Sequence, residues 1–550
     1  MSTRKQTIFL LLAMLFASVP SLACTNLIVG KKASLDGSVI VTYSSDDYGA
    51  YGYLFYQKGG KHRPGEMRKL YHYESNNYLG EIPEADSTYA VIGLTNEHQL
   101  TILETTWGGR HELADSTGLF DYGSLMQVTL QRARTAREAL QVMTGLVEKY
   151  GYQSEGESFT IADPNEVWVM DMIGKGPGGG APVWVAVRIP DDCISGHANQ
   201  SRIHRFPLKD KENCIYSKDV ITFAKKKGYF SGKDEDFSFA NAYNPLDFGG
   251  ARYCEARVWS FFNKWAAVDM KPYLKYAMGE DLKAEPFPLY VQPRQKLSVQ
   301  NVKDMMRDHY EGTPMELLTE NDLGSGPFNM PYRPTPLTWE SDGKTYFNER
   351  PISTQQSSCI YVAQLRSWLP DYVGGVLWFG NDDANMVAMV PIYCCTMDAP
   401  ECFNERTADT FQFSFKSAFW MQNWVSNMVY LRYNILFSEL KNVRDKLESD
   451  FNAMQPDIEK KALAMTEAEA RKYLSGYSYR QSERMMDSWM QLAQLIIVKY
   501  NDMAVKKVDK QGNYQKTLGG NQVPVDRPGY PTNYRRAIVK ATGDKYLMKE

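Results

Sequence analysis

Ser21-Leu22-Ala23-Cys24-Thr25-Asn26-Leu27-Ile28-Val29-Gly30 reads in two halves. The left half closes an export signal. Arg4 and Lys5 supply a short basic region, Ile8 to Phe16 an apolar run, and Ser21 and Ala23 the small residues of an A-x-A-like cleavage site. That run is shorter than the roughly 20 residues a membrane span requires. The right half is an apolar, β-branched strand. A cut after Ala23 makes Cys24 the first residue of the mature chain, so one residue carries both a thiol and a free α-amine.

The pairing has a chemical consequence. A thiol attacks as thiolate, and with a reference pKa of about 8.5 it is mostly protonated at neutral pH. An α-amine, at about 7.7–8.0, is in useful part a free base. Cys24 would then carry its own general base and require no histidine. Two plainer readings stand beside this one. Cys24 is a buried strand cysteine that follows a signal, or a lipid-anchored cysteine, against which Ser21 occupies the place where such signals carry an apolar residue.

Moving outward, Asn26 to Gly30 and Ser38 to Tyr43 are strand-like runs around Asp36-Gly37, a strong turn signal, and predict a hairpin with an extended loop. Ser44-Ser45-Asp46-Asp47 follows at once. A carboxylate there would lie beside the start of the first strand; alternatively Asp46 and Asp47 are turn residues.

The 550 residues exceed a typical single core and call for a large elaborated domain or a domain with an appendage. Hydrophobic residues at 43% and charged residues at 23% are those of an ordinary globular protein. A net charge of −3 gives no basis for binding nucleic acid or an anionic membrane surface. No run beyond the signal approaches membrane-span length, so no stable span is expected. Aromatics at 13% suit a large core or an aromatic-lined cleft. The eight cysteines show no C-x-x-C spacing, and His111-Glu112 lacks the second histidine of H-E-x-x-H, so the sequence calls for neither metal nor cofactor. Export would permit disulfides.

Along the chain, residues 51–90 read as an irregular insert with short strands. Tyr89 to Leu94 and Leu100 to Glu104 read as strands, the second running into Glu104-Thr105-Thr106-Trp107-Gly108-Gly109-Arg110. Asp121 to Lys149 has the spacing of one long helix ended by Gly151. Ser158 to Ala162, Glu166 to Ile173 and Val183 to Ile189 are strands. Gly174 to Gly180 is a hairpin loop rather than a dinucleotide loop, because a strand follows it where a helix would be needed. His197 to Ile203 follows a turn and contains Asn199, read either as an amide aimed at an oxyanion or as a cap. Residues 205–350 are mixed and suggest no function. Ser358 to Arg366, Gly374 to Gly380 and Met386 to Pro391 return as strands. Trp420 to Leu447 and Met485 to Ile496 are apolar helical stripes read as core packing, and the tail from Lys507 is polar.

Several motifs together resemble one family, the C69 dipeptidases of the dipeptidase A type within the N-terminal nucleophile hydrolases. They are Cys24-Thr25-Asn26 with Asp36-Gly37-Ser38, Glu104 to Arg110, Asp121-Tyr122-Gly123 and Tyr150-Gly151-Tyr152. Leu130-Gln131-Arg132-Ala133, Glu155-Gly156-Glu157-Ser158, Val183-Trp184-Val185-Ala186, His197 to Ile203, Arg350 to Ser353 and Gly374 to Phe379 complete the set. The resemblance implies an α+β fold of the four-layer αββα sandwich type over residues 24–405. A helical extension over 406–505 and a polar tail over 506–550 would follow, with 1–23 removed as signal. It implies hydrolysis of short peptides by Cys24, aided by Asp46 and Asn199, with Glu104, Thr105 and Arg202 binding substrate. Related acylases of penicillin V or conjugated bile acids place an arginine before the aspartate that Asp46 matches. Tyr43 stands there instead, a departure that weakens the alternative of an N-acyl amide hydrolase. Asn199 and a backbone N–H near Thr105 are expected to hold the oxyanion. Cys254 and Cys359 fall in no such motif and are read as structural. The expected partners are short peptides and no nucleic acid, a homo-oligomer is compatible, and the location is periplasmic or extracellular.

Overall fold

The computed structural model describes residues 23–318, 323–517 and 519–549; the expected export signal, up to Leu22, lies outside the described residues. In chain order the main elements begin with strands β1 (Ala23–Val29), β2 (Val39–Asp46) and β3 (Thr101–Trp107). Helices α1 (Tyr122–Arg132) and α2 (Ala136–Tyr150) follow, then strands β4 (Gly156–Ala162), β5 (Val167–Ile173), β6 (Val183–Ile189), β7 (Ile194–His197) and β8 (Cys214–Tyr216). After helix α3 (Ala256–Trp265) come β9 (Tyr290–Val291), β10 (Ser357–Leu365), β11 (Val376–Asn381) and β12 (Val390–Tyr393). Helices α4 (Ala418–Tyr430), α5 (Tyr433–Leu463) and α6 (Glu467–Tyr500) close the set.

The fold mixes helices with antiparallel sheets, as expected. One sheet runs β9-β7-β1-β2-β10-β11-β12; the other runs β8-β6-β5-β4-β3 and continues into three two-residue strands. β1 packs against β3, and Asn26 Nδ2 donates to the Glu104 carbonyl at 2.8 Å, tying the two sheets together. α1 and α2 pack on β3 and β4, α3 on β7 and β1, and α4 and α6 on β11 and β12. β4, β5, β10 and β11 are buried along their whole length, because neighbours cover both faces; β5 and β11 are mostly apolar, while β4 and β10 also bury Glu157, Ser158, Thr160, Ser357, Ser358 and Gln364.

The predicted hairpin is present and longer than its apolar runs, since β2 continues to Asp46. Its register pairs Ala23 with Asp46 and Cys24 with Ser45. On the far side of β2, Ser45 pairs with Cys359, after a register shift between Ser357 and Cys359 that marks a bulge. Paired residues share a face, so Cys24, Ser45 and Cys359 form one row across three strands.

Two helices expected to be continuous are broken. Residues 121–149 form α1 and α2, separated at Ala133, whose backbone is extended. The Thr135 side chain accepts from Glu138 N, and Ala136 N donates to Asp163 Oδ2 at 2.9 Å, so a fresh N-cap competes successfully with helix continuation. Gly151, at φ +77°, ends α2 as expected. The stripe from Trp420 breaks at Arg432, whose guanidinium donates to the carbonyls of Tyr500 and Met503 at 3.0 and 3.1 Å. Leu431, expected in the stripe, is therefore exposed, and Met421, Val425 and Val429 are buried in its place. Leu440, Leu447, Met485, Trp489 and Leu492 enter the same core as the strands. No helix among the described residues is long and apolar enough to cross a membrane.

Candidate active site

Cys24, the second residue of β1, is buried at the foot of a cleft of about 400 Å³. Tyr43, Tyr73, Tyr122 and Tyr361 supply much of its wall. Gly52 closes one side against β10; a Cβ there would fall 1.8 Å from the Ser358 carbonyl oxygen, so only glycine permits the approach. Cys359, read from the sequence as structural, also lines the cleft. Among the described residues all eight cysteines are free thiols.

The Cys24 sulfur lies 3.7 Å from both Tyr43 Oη and Glu104 Oε1, and Tyr43 Oη donates to Glu104 Oε1 at 2.5 Å. The residue that departs from the acylase pattern thus stands beside Cys24, as a phenol in reach of both sulfur and carboxylate. Burial pushes the Cys24 thiol well up, reinforced by the charges of Glu104 and Asp46; hydrogen bonds from Tyr43 and the Asp46 backbone act the other way. The thiol is therefore protonated at neutral pH and needs a base.

The nitrogen of Cys24, a peptide N–H in the full chain, donates to Asn199 Oδ1 at 2.8 Å, while Asn199 Nδ2 donates to the Thr106 carbonyl at 2.7 Å. Asn199 holds φ +59°, a left-handed conformation that asparagine tolerates better than most residues. Its amide therefore positions the Cys24 nitrogen and ties it to the edge of β3. This differs from the expected role, an amide aimed at an oxyanion.

Asp46 is fully buried. Arg350 Nη2 reaches its Oδ2 at 2.5 Å, Ser357 Oγ donates to its Oδ1 at 2.6 Å, and Ser44 Oγ to its Oδ2 at 3.1 Å. The motif Arg350 to Ser353 thus supplies the cation that holds the carboxylate beside the start of β1.

Arg257 is a site residue that the sequence reading missed. It is fully buried on α3, directly after a π-helical turn over Gly250–Glu255. Its Nη1 donates to the Cys24 carbonyl at 2.6 Å and to Thr25 Oγ1 at 2.7 Å; its Nη2 donates to the Ala198 carbonyl at 3.0 Å and to Asn199 Oδ1 at 2.9 Å. Burial, then the nearby Arg350, lower its pKa to about 10, which leaves it a cation at neutral pH. The one available signal was a charge inside the apolar helical run Ala256-Arg257-Val258-Trp259.

Of the expected site residues, Cys24 and Glu104 line the cleft; Asp46 and Asn199 reach the start of β1 without lining it, and Arg202 and Thr105 are held elsewhere. Arg202 Nε pairs with Glu255 Oε1 at 3.0 Å, and its Nη1 and Nη2 donate to the carbonyls of Gly196 and Pro288, both at 2.9 Å. It lines a separate cavity and locks the loop after β7 to the segment before β9. The Thr105 side chain is turned away and bonds His197 Nδ1 at 2.7 Å. Its backbone groups follow. The carbonyls of Glu104 and Thr106 leave β4 to accept from Asn26 and Asn199, so alternation turns those of Thr105 into the β3–β4 ladder opposite Ser158. The free edge of β3 beside Asn199 belongs to Thr106. His197 is held between Thr105 and Thr160, and burial lowers its pKa to about 3, leaving a neutral imidazole outside the cleft.

Behind Glu104 lies Glu157, hydrogen-bonded by Thr106 Oγ1 at 2.9 Å. Glu104 Oε2 and Glu157 Oε1 are buried without an N–H or hydroxyl donor, and the two carboxyls lie within hydrogen-bonding reach of each other. Burial raises both, and the repulsion from Glu104 raises Glu157 further. Among the described residues no group of three His, Cys, Asp or Glu side chains is placed to hold a metal ion.

The model of peptidase family C69 matches residues 23–76 and 64–446. A probable dipeptidase of Salmonella dublin is 27% identical over 394 residues, covering 68% of this chain and 81% of that protein. A probable dipeptidase of Latilactobacillus sakei is 25% identical over 434 residues, covering 75% and 82%. Dipeptidase A of Lactobacillus helveticus is 22% identical over 515 residues, covering 88% of this chain and 98% of that protein.

Proposed function

Because the chain belongs to peptidase family C69, we propose that it is an exported cysteine dipeptidase whose nucleophile is the N-terminal Cys24 of a processed chain. The observation that carries this reading is the 2.8 Å bond from the Cys24 nitrogen to Asn199, with the sulfur of the same residue in the cleft. Cleavage after Ala23 converts that nitrogen from a non-basic amide to an amine held by the same acceptor. The pairing of two sheets with helices packed on each supports the αββα sandwich of the N-terminal nucleophile hydrolases.

In this mechanism the amine takes the thiol proton and the sulfur attacks the scissile carbonyl. The developing oxyanion is met at the open edge of β3, where the Thr106 N–H lies; such a donor contributes about 3–4 kcal/mol. The protonated amine then donates to the leaving nitrogen, and a water activated by the same amine releases the acyl group. Arg257 holds the Cys24 carbonyl and Asn199, and its buried positive charge disfavours the ammonium form, keeping the amine available as a base. Asp46, neutralised by Arg350, holds the end of β2 against the start of β1.

The test is incubation of a chain with Cys24 verified as its N-terminus with a panel of dipeptides, reading the free amines released. Turnover of none of them would sink the proposal. A preference for N-acyl amides would instead favour an acylase.

A further inference from the structure

The cleft is one-sided in charge. Among the described residues lining it, the charged side chains are Asp47, Glu74 and Glu104, and none is lysine or arginine. Glu104 is buried at the foot beside Cys24, and Glu74, which accepts from Tyr122 Oη at 3.0 Å, is exposed nearer the mouth. Among the described residues no cation pairs with Glu104, and its Oε2 is buried without an N–H or hydroxyl donor. A buried carboxylate without a cationic partner is costly, by several kcal/mol. Tyrosine rings around it add faces that attract ammonium groups.

Distance admits an α-ammonium at Glu104. In a peptide with a free N-terminus, the α-nitrogen lies about 2.5 Å from the scissile carbonyl carbon of the first residue. With that carbon roughly 3–3.5 Å from the attacking sulfur, a pose that turns the α-nitrogen toward Glu104 brings it within ion-pairing reach of the carboxylate oxygen 3.7 Å from the same sulfur. From this geometry we infer that Glu104, braced by Tyr43, anchors the α-ammonium of the substrate. The substrate class is then short peptides and aminoacyl amides with a free N-terminus, whether the C-terminus is a carboxylate or an amide. The inference rests on the peptidase reading of Cys24 and extends it to a second activity, release of the first residue from C-terminally amidated substrates. The lining offers a terminal carboxylate no cation, so amidation removes no attraction.

The experiment compares one dipeptide, its N-acetyl form and its C-terminal amide on the processed enzyme and on Glu104→Gln, which keeps the size of the side chain. The amide should be cleaved within about 3-fold of the free dipeptide in kcat/KM, and the N-acetyl form at least ~100-fold less well, the scale of losing a buried charge pair. Glu104→Gln should narrow the free-to-acetylated ratio by about 10-fold or more. Hydrolysis of the N-acetyl form as readily as the free dipeptide, loss of the amide as a substrate, or an unchanged ratio in Glu104→Gln would overturn the inference. Calorimetric binding of the same three ligands to Cys24→Ala separates the two readings. If no dipeptide is turned over, the peptidase reading fails. The anchor then stands only if the two free-amine ligands bind at least ~10-fold more tightly than the acetylated one, and it falls on equal binding or none.

Discussion

Cys24 and Asn199 meet through a 2.8 Å hydrogen bond in which the nitrogen of the proposed nucleophile donates to a side-chain oxygen 175 residues further along the chain. The same amide donates to Thr106, so one side chain fixes the Cys24 nitrogen relative to both sheets. Removing it should misplace the base while leaving the cleft intact. Asn199→Gly, which also suits the positive φ, is expected to lower kcat by roughly 100-fold with KM changed far less, since a ~1 Å misplacement of a reacting group has that cost. Steady-state kinetics on the free dipeptide read this. A change confined to KM would assign Asn199 to substrate binding.

Processing should act as the switch. An uncut chain is expected to be inactive, because an amide nitrogen is no base near pH 7, whereas the chain beginning at Cys24 is active. In the processed form, Cys24→Ser should lose most activity and Cys24→Ala all covalent turnover. Mass spectrometry of each N-terminus alongside the assay decides it. Full activity in a verified uncut chain would make Glu104, the carboxylate nearest the sulfur, the base to examine.

Arg257 gathers acceptors from β1, the turn at Asn199 and its own helix, where its Nε donates to the Tyr253 carbonyl at 2.6 Å. Substituting methionine would leave those buried oxygens without their donor. We expect Arg257→Met to destabilise the fold by about 3–5 kcal/mol, the scale for breaking a buried charged network. Arg257→Lys, with one compact head in place of a fork, should recover only part of this. Urea denaturation with a constant slope measures both, and near-native stability for the methionine variant would refute the assignment.

The Glu104–Glu157 pair sets a pH dependence. Both carboxyls are raised in the folded protein, chiefly by burial, so across that interval the folded state binds more protons than the unfolded one. The pair's contribution to stability is therefore fully present below the ordinary carboxylate value of about 4.3 and declines as pH rises through the folded values. Glu157→Gln, which cannot ionise, should unfold at a higher temperature than the parent at pH 8, with the gap closing toward pH 4. Calorimetric scans across that range test the sign; a variant less stable than the parent at pH 8 would contradict it.

The sequence carried the parts of the site that are local. Cys24 stands out because a cleavage signal precedes it and a strand follows it. Asp46 falls beside the start of β1 because a turn at Asp36-Gly37 joins two adjacent strands, and pairing register then follows from short-range geometry. Tertiary structure decided what depends on elements far apart in the chain. Arg202 and Arg257 are both buried, and only the packing of α3 sends Arg257 to Cys24 while Glu255, two residues earlier, captures Arg202. Arg350 reaches Asp46 across 304 residues, and the bond between Glu104 and Tyr43 requires the two sheets to face each other. The helix breaks at Ala133 and Arg432 are of the same kind. Periodicity records which face of a helix is apolar, but whether the helix continues is settled by hydrogen-bond partners that the fold brings from elsewhere.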